Sequence, residues 1–223
     1  MGFNNVTKID DAVPIRNAIV SVYDKAGLGE LVDGLLESCP GIRFYATGGS
    51  YAFLRDRLSD GNEGRLVALS DYTCQPEMKG GLVKSLDWKI YLGLLAEPYD
   101  ADHEADLAAH GAVAFDLVVG NLYPFKAAAA SAKRFEEARQ HIDIGGPSML
   151  RAAAKNFIRV APLPSPELYG GFLAELRRGG GALRLDARAR LAAEVFRRQS
   201  EYDAAVAAYI ASSADTLLKS SYS

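Results

Sequence analysis

A chain of 223 residues with 49% apolar side chains has the material for one large core, and its 25 basic and 28 acidic residues leave a net charge of −3. That near-balance excludes a nonspecific nucleic-acid or membrane-surface binder, so any anion it binds must be held by a local cluster of cations. Two cysteines at unrelated positions, Cys39 and Cys74, suggest neither a disulfide framework nor a thiolate metal site and place the expected compartment in the cytoplasm. The opening residues MGFNNVTKIDDAVP carry acids and lack an apolar segment, and no run of 18 apolar residues follows, so neither export nor a membrane span is expected. Val6 stands where a myristoylation signal requires Ser or Thr.

Residues 1–13 read as a polar tail. Asn17 to Val22 (NAIVSV) predicts a short buried strand, followed by the charged turn Asp24-Lys25 and a helix from about Gly27 to Ser38. Arg43 to Ala46 predicts a second strand, Thr47-Gly48-Gly49-Ser50 a turn, and Tyr51 to Leu58 a helix; this repetition is the opening of a parallel α/β sheet. Leu66 to Leu69 reads as a third strand and Phe115 to Gly120 as a central one, with a turn-rich stretch from Asp71 to Lys84 and a polar helix over Asp102 to Ala109 between them. Past Pro124 the pattern is mainly helical: Lys133 to Gln140, Pro147 to Asn156, Glu167 to Arg178 and Asp186 to about Ala211, with one strand near Arg159 to Ala161. Residues 14–125 are thus expected as an α/β core, 126–211 as a helical lobe completing the same domain, and 212–223 as a second tail.

Ligands of open α/β sheets bind beyond the carboxyl ends of the strands, so the turns after strands are the places to search. Asp24-Lys25, Thr47-Gly48-Gly49-Ser50 and Asn121-Leu122-Tyr123-Pro124 occupy such turns. The second can present backbone N–H groups and hydroxyls to a phosphate, although a Gly-Gly turn alone is usually only a turn. In HIDIGGPSMLRAAAKN, Pro147 suits the first turn of a helix, the glycines leave its approach free of Cβ atoms, and Arg151 and Lys155 share one face. Taken alone, that stretch is better explained by an ordinary capped helix with solvated charges. Asp100, Asp102, His103, Glu104, Asp106 and His110 are capable of binding metal but are spaced as a solvated helix face, and no dinucleotide or Walker fingerprint occurs; no metal and no nucleotide cofactor is expected. Tyr202-Asp203 reads as packing and capping.

Taken together, SVYDKAGL, ATGGS, SDYTCQPEMKGGLVKSL, FDLVVGNLYPF, IDIGGPSMLRAAAKN and EYDAAVAAYI, in that order from Ala18 to Ile210, resemble the inosine monophosphate (IMP) cyclohydrolase domain of the bifunctional purine-biosynthesis enzyme. The resemblance implies a methylglyoxal-synthase-like α/β fold, a mostly parallel sheet flanked by helices, in a homodimer. It implies closure of the second purine ring of 5-formamidoimidazole-4-carboxamide ribonucleotide (FAICAR) to IMP with loss of water, a cyclic-amidine hydrolase run in the synthetic direction without a cofactor. Formylation of the precursor would fall to a separate upstream enzyme. On the matching positions, Lys84, Tyr123, Asp143 and Lys155 are expected to be catalytic, with Asp143 and Lys155 a coupled pair handling the amide proton and Lys84 and Tyr123 stabilising the oxyanion. Lys25, Thr47, Gly48, Gly49, Ser50 and Ser85 are expected to hold the 5′-phosphate, Asn121, Ile144, Gly145 and Gly146 to contact the rest of the substrate, and Arg151 to be structural.

Four departures bear on phosphate binding or the surrounding field. Leu82, Asp87 and Trp88 stand where the family has Arg, His and Pro, and Tyr23 where Ser is common; Phe157 replaces a further His. Loss of the guanidinium at 82 removes a bidentate anion partner, so the Michaelis constant is expected to be raised and Leu82→Arg to lower it, as a substrate titration would show. The other reading compatible with these changes is a nucleotide-binding regulatory module of the same fold with weakened turnover.

Overall fold

The computed structural model describes residues 6–59, 61–75 and 85–213, with 218, 221 and 222; Leu82 and Lys84 lie outside the described residues. In chain order its elements are β1 (Ala12–Pro14), β2 (Asn17–Ser21), α1 (Leu28–Ser38), β3 (Arg43–Ala46), α2 (Gly48–Arg57), β4 (Leu66–Ala68), α3 (Leu69–Thr73), α4 (Trp88–Leu95) and α5 (Ala101–Ala109), then β5 (Leu117–Gly120), α6 (Phe125–Ser131), α7 (Phe135–Arg139), α8 (Gly145–Lys155), β6 (Ala161–Leu163), α9 (Tyr169–Arg178), β7 (Ala182–Arg184) and α10 (Leu185–Ser213). Five strands form a parallel sheet in the order β4-β3-β2-β5-β6, while β1 and β7 pair antiparallel.

A parallel sheet needs cover on both faces, and the period-2 alternation of the strands supplies two apolar sets. Ala18, Val20, Phe44, Ala46, Leu117 and Val119 pack with Leu28, Leu31 and Leu35 of α1, Leu54 of α2 and Phe172 of α9. Ile19, Tyr45 and Val118 face the other way, onto Ile90 and Leu94 of α4, Met149 and Leu150 of α8 and Val195 of α10. The residues expected as a helical lobe therefore belong to the same layers: they supply the edge strand β6 and three of the helices over the sheet.

The strand expected at Arg159 to Ala161 begins only at Ala161, because Arg159 is consumed as a buried clamp. Its guanidinium donates to the carbonyls of Ala96 (3.1 Å), Phe115 (2.7 Å) and Gly93 (2.6 Å), and lies 3.5 Å from Asp116. Pro162 is tolerated in the strand because β6 is at the sheet edge. The stretch that offered no helix before Asp102 contains α4, whose N-cap is Asp87: its carboxylate accepts the Lys89 N–H at 2.8 Å. Its neighbour Trp88 stands edge-on to His110, ring centroids 4.5 Å apart. Two of the departures noted above thus have structural duties at this helix start.

Within α4, Gly93 permits a close approach to the 113–115 segment: a Cβ built there would lie 2.3 Å from the Val113 carbonyl oxygen and 2.8 Å from the Phe115 ring. Backbone cannot yield as a side chain would, so overpacking costs should apply. Gly93→Ala is expected to lower stability by ~1–3 kcal/mol in a urea melt despite the better helix propensity of alanine; an unchanged or raised midpoint would show that α4 shifts freely.

Candidate active site

The carboxyl ends of β2, β3 and β5 bring three turns together. After β2, the backbone N–H groups of Tyr23 and Asp24 both donate to Asn121 Oδ1 (2.7 and 3.0 Å), and Asn121 Nδ2 donates back to the Asp24 carbonyl at 2.8 Å. Asn121, expected to contact substrate, is committed largely to shaping the Tyr23–Lys25 turn. This turn lies one strand away from the start of α2, and Lys25 bridges the gap: a Cβ built on Gly49 would lie 3.6 Å from Lys25 Nζ.

The helix after β3 begins at Gly48, three residues before the expected start, so the two glycines form its first turn rather than a loop. Gly48 has φ +40°, suited to a residue without Cβ. First-turn N–H groups have no intrahelical acceptor, and the Thr47 side chain makes no capping bond; Gly48 and Gly49 are exposed beside the Lys25 ammonium. Positive helix end and ammonium together favour an anion. Thr47 Oγ1 instead lies 3.0 Å from Ser21 Oγ. Ser50 departs from its expected role: its buried hydroxyl accepts the Val22 N–H at 2.9 Å and donates to the Val22 carbonyl at 3.3 Å, which leaves it to lock α2 to β2 rather than to meet a phosphate.

The loop before α8 closes the other side. Asp143 Oδ1 accepts the Gly146 N–H at 3.0 Å, and its carboxyl also draws on the Tyr123 backbone N–H. Burial raises the Asp143 pKa above the ordinary carboxylate value, against the lowering effect of these two donors. Both glycines let the backbone come close to these side chains: a Cβ on Gly146 would lie 2.6 Å from Asp143 Oδ2, and one on Gly145 2.4 Å from the Oγ of buried Ser85. Tyr123, half exposed, packs its ring against Tyr23 at 4.9 Å between centroids, tilted by 53°. Ile144, the N-cap of α8, exposes its side chain. Beside these turns opens a cavity of ≈ 860 Å³, lined among others by Tyr23, Lys25, Tyr123, Leu150, Gln199 and Tyr202.

Thus Lys25, Thr47, Gly48, Gly49, Ser50, Ser85, Asn121, Tyr123, Asp143, Ile144, Gly145 and Gly146 all belong to the turns at this edge of the sheet or to groups in contact with them. Lys155 does not. It ends α8, ten residues from Gly145 and about 15 Å along the helix axis. The next residue, Asn156, donates to the carbonyls of Leu94 and Ala96, and Arg159 reaches Phe115 at the start of β5, so Lys155 sits at the amino-terminal edge of the sheet. The expected pairing of Asp143 with Lys155 is therefore not made within one chain. Arg151, exposed on α8, lies over the Phe196 ring at 5.5 Å, a packing role. Of the acidic run near α5, Asp100 and His103 approach Glu97 with ligand atoms within 4.8 Å; Asp100 caps α5 through the Asp102 and His103 N–H groups, and His103 Nδ1 accepts the Glu97 N–H. Tyr202 is the site-adjacent residue that composition and spacing left as mere packing: its contact is with backbone of a loop some sixty residues earlier, which no local pattern reveals.

The description "AICARFT/IMPCHase bienzyme" is that of a family model matching residues 153–223. The bifunctional purine biosynthesis protein PurH of Rhodopirellula baltica is 43% identical over 203 residues, 91% of this chain, and that of Mycobacterium ulcerans 41% over 199 residues, 89% of it. The chain spans 37% and 36% of those two proteins. The crystal structure of ForH superposes with a TM-score of 0.71 at 35% identity, covering 88% of this chain and 99% of ForH. With the parallel sheet flanked by helices observed here, the methylglyoxal-synthase-like fold class expected from the sequence holds. No helix among the described residues is long and apolar enough to cross a membrane. The chain belongs to the AICARFT/IMPCHase family.

Proposed function

We propose that this chain is an IMP cyclohydrolase, closing the pyrimidine ring of FAICAR by dehydration. The observation that carries the reading is the shared edge: a half-buried carboxylate held by the Tyr123 backbone N–H, beside a lysine set at a helix N-terminus. Ring closure asks a carboxamide nitrogen, a very poor nucleophile, to attack a formyl carbon, whose oxygen gains negative charge and leaves as water. Positioning, removal of the amide proton and donors to the oxyanion are the three needs. Asp143 removes the proton, and its raised pKa makes it a stronger base than an exposed carboxylate. The Tyr123 hydroxyl donates to the developing oxyanion, joined by Lys84, and the oxygen leaves as water with one proton from the carboxamide nitrogen and one from the formamide nitrogen, as the ring C=N bond forms. Lys25 and the Gly48 and Gly49 N–H groups hold the phosphate, and the Ile144–Gly146 backbone aligns the carboxamide.

Lys155 enters this scheme only from a second subunit of the expected homodimer, since its own chain carries it to the far edge of the sheet. Mixing inactive Asp143→Asn and Lys155→Ala subunits after dissociation should then restore about a quarter of the parental FAICAR turnover, because half the dimers pair unlike subunits and each of these has one intact site. Restoration to no measurable level would exclude a shared site. Lys25→Ala should raise the Michaelis constant for FAICAR by roughly 10-fold or more with a smaller change in kcat, the loss of a charged hydrogen bond to phosphate. An unchanged Michaelis constant would place the phosphate elsewhere.

A further inference from the structure

The hydroxyl of Tyr202, on α10, joins two backbone groups of the loop before α8: it accepts the Asp143 N–H at 2.7 Å and donates to the His141 carbonyl at 3.2 Å. A single oxygen thereby closes the turn that carries Asp143, from an element that is otherwise remote in sequence. The ring is itself braced, packing at 6.1 Å from the Phe125 ring, and lies in the wall of the cavity. Nothing in α7 or α8 performs this duty. The Asp143 side chain caps α8 through Gly146, but its main-chain N–H has no other acceptor among the described residues, and the loop residue His141 is exposed. Without the Tyr202 oxygen this partly buried N–H would have to find another acceptor, and the loop would shift to reach one. A general base displaced by about 1 Å can lose 10²-fold in rate.

We propose that Tyr202 is a positioning residue, its hydroxyl bridge fixing the Asp143 carboxyl in the geometry needed for proton removal. The inference rests on the cyclohydrolase reading for its kinetic consequence and on the geometry alone for its spectroscopic one. Burial holds the Asp143 pKa up, with Tyr202 and the Gly146 and Tyr123 N–H groups as its polar surroundings; Asp203 acts on Tyr202 rather than on Asp143.

Tyr202→Phe keeps the ring and its packing and removes only the bridge. With FAICAR as substrate it should lower kcat by roughly 10–100-fold while the Michaelis constant stays within about 2-fold. The Asp143 carboxyl, followed by carbon-13 NMR titration without substrate, should titrate at lower pH in Tyr202→Phe than in the parent, since a loosened loop admits water. Tyr202→Phe should cause no further loss in Asp143→Asn. An unmoved titration overturns the proposal whatever the kinetics, as does a fall in melting temperature with kcat unchanged. Parental turnover by Asp143→Asn would instead end the role of Asp143 as base, while a moved titration would leave the positioning intact.

Discussion

Asp143→Asn is expected to lower FAICAR turnover by roughly 10³-fold while nucleotide binding persists, the scale on which removal of a positioned general base acts. Asparagine keeps the acceptor for the Gly146 N–H, so α8 should remain capped. The same substitution should raise the melting temperature at neutral pH. Burial raises the folded-state pKa of Asp143, so the folded protein favours the protonated carboxyl more than the unfolded chain does. Its favourable contribution is complete below the unfolded pKa and is lost as pH rises through the folded value; above that the buried charge costs stability, a cost asparagine lacks. Parent and variant should therefore converge in melting temperature as the pH is lowered through the carboxylate range. Turnover by the parent should fall with protonation over the same interval, because the base must be ionised. A variant that melts lower than the parent at neutral pH would mean the carboxylate is stabilising and not poised for proton transfer.

Arg188→Met should produce the largest loss of stability. Arg188, in the first turns of α10, is fully buried, yet its guanidinium makes its hydrogen bonds to carbonyl oxygens: those of Phe157 (2.9 Å), Ile158 (2.9 Å), Asp10 (2.9 Å), Asp11 (3.0 Å) and Leu183. It ties the N-terminal segment, the turn after α8, the middle of β7 and α10 into one knot. Arginine stays charged even when burial disfavours it, so the carbonyl dipoles supply the solvation that water would. Methionine fills much of the volume, retains helix propensity and leaves five carbonyls without this donor. A loss of at least ~3 kcal/mol follows, read as a fall in melting temperature of roughly 6–12 °C for a chain of this size. A fall under about 2 °C would show that water replaces the guanidinium.

Much of this architecture was legible in the letters. NAIVS, RFYA and LVVG are apolar runs too short for helices, and they are β2, β3 and β5, the centre of the sheet. Local patterns failed where long-range partners decide. α4 hides in a segment whose N-cap, Asp87, reads as an isolated acid, and β6 is shifted because Arg159 is drawn into buried carbonyls of α4 and the β5 edge. The glycines of TGGS gave a turn by composition, but Ser50, anchored on Val22, starts the helix at Gly48. At the site, the turn residues gather because they follow adjacent parallel strands, a consequence of topology that sequence anticipates. Lys155 shows the limit: one loop-and-helix unit placed it near Asp143 in the chain, whereas the helical rise carries it to the other edge.

The spectroscopic conversion of FAICAR to IMP by the purified chain, with no other protein added, tests the central claim most directly. The turns that meet beyond β2, β3 and β5 should give sustained formation of the purine ring in the parent protein, abolished by Asp143→Asn. Tight binding of FAICAR without ring closure in the parent would contradict the account and leave the chain a nucleotide-binding module.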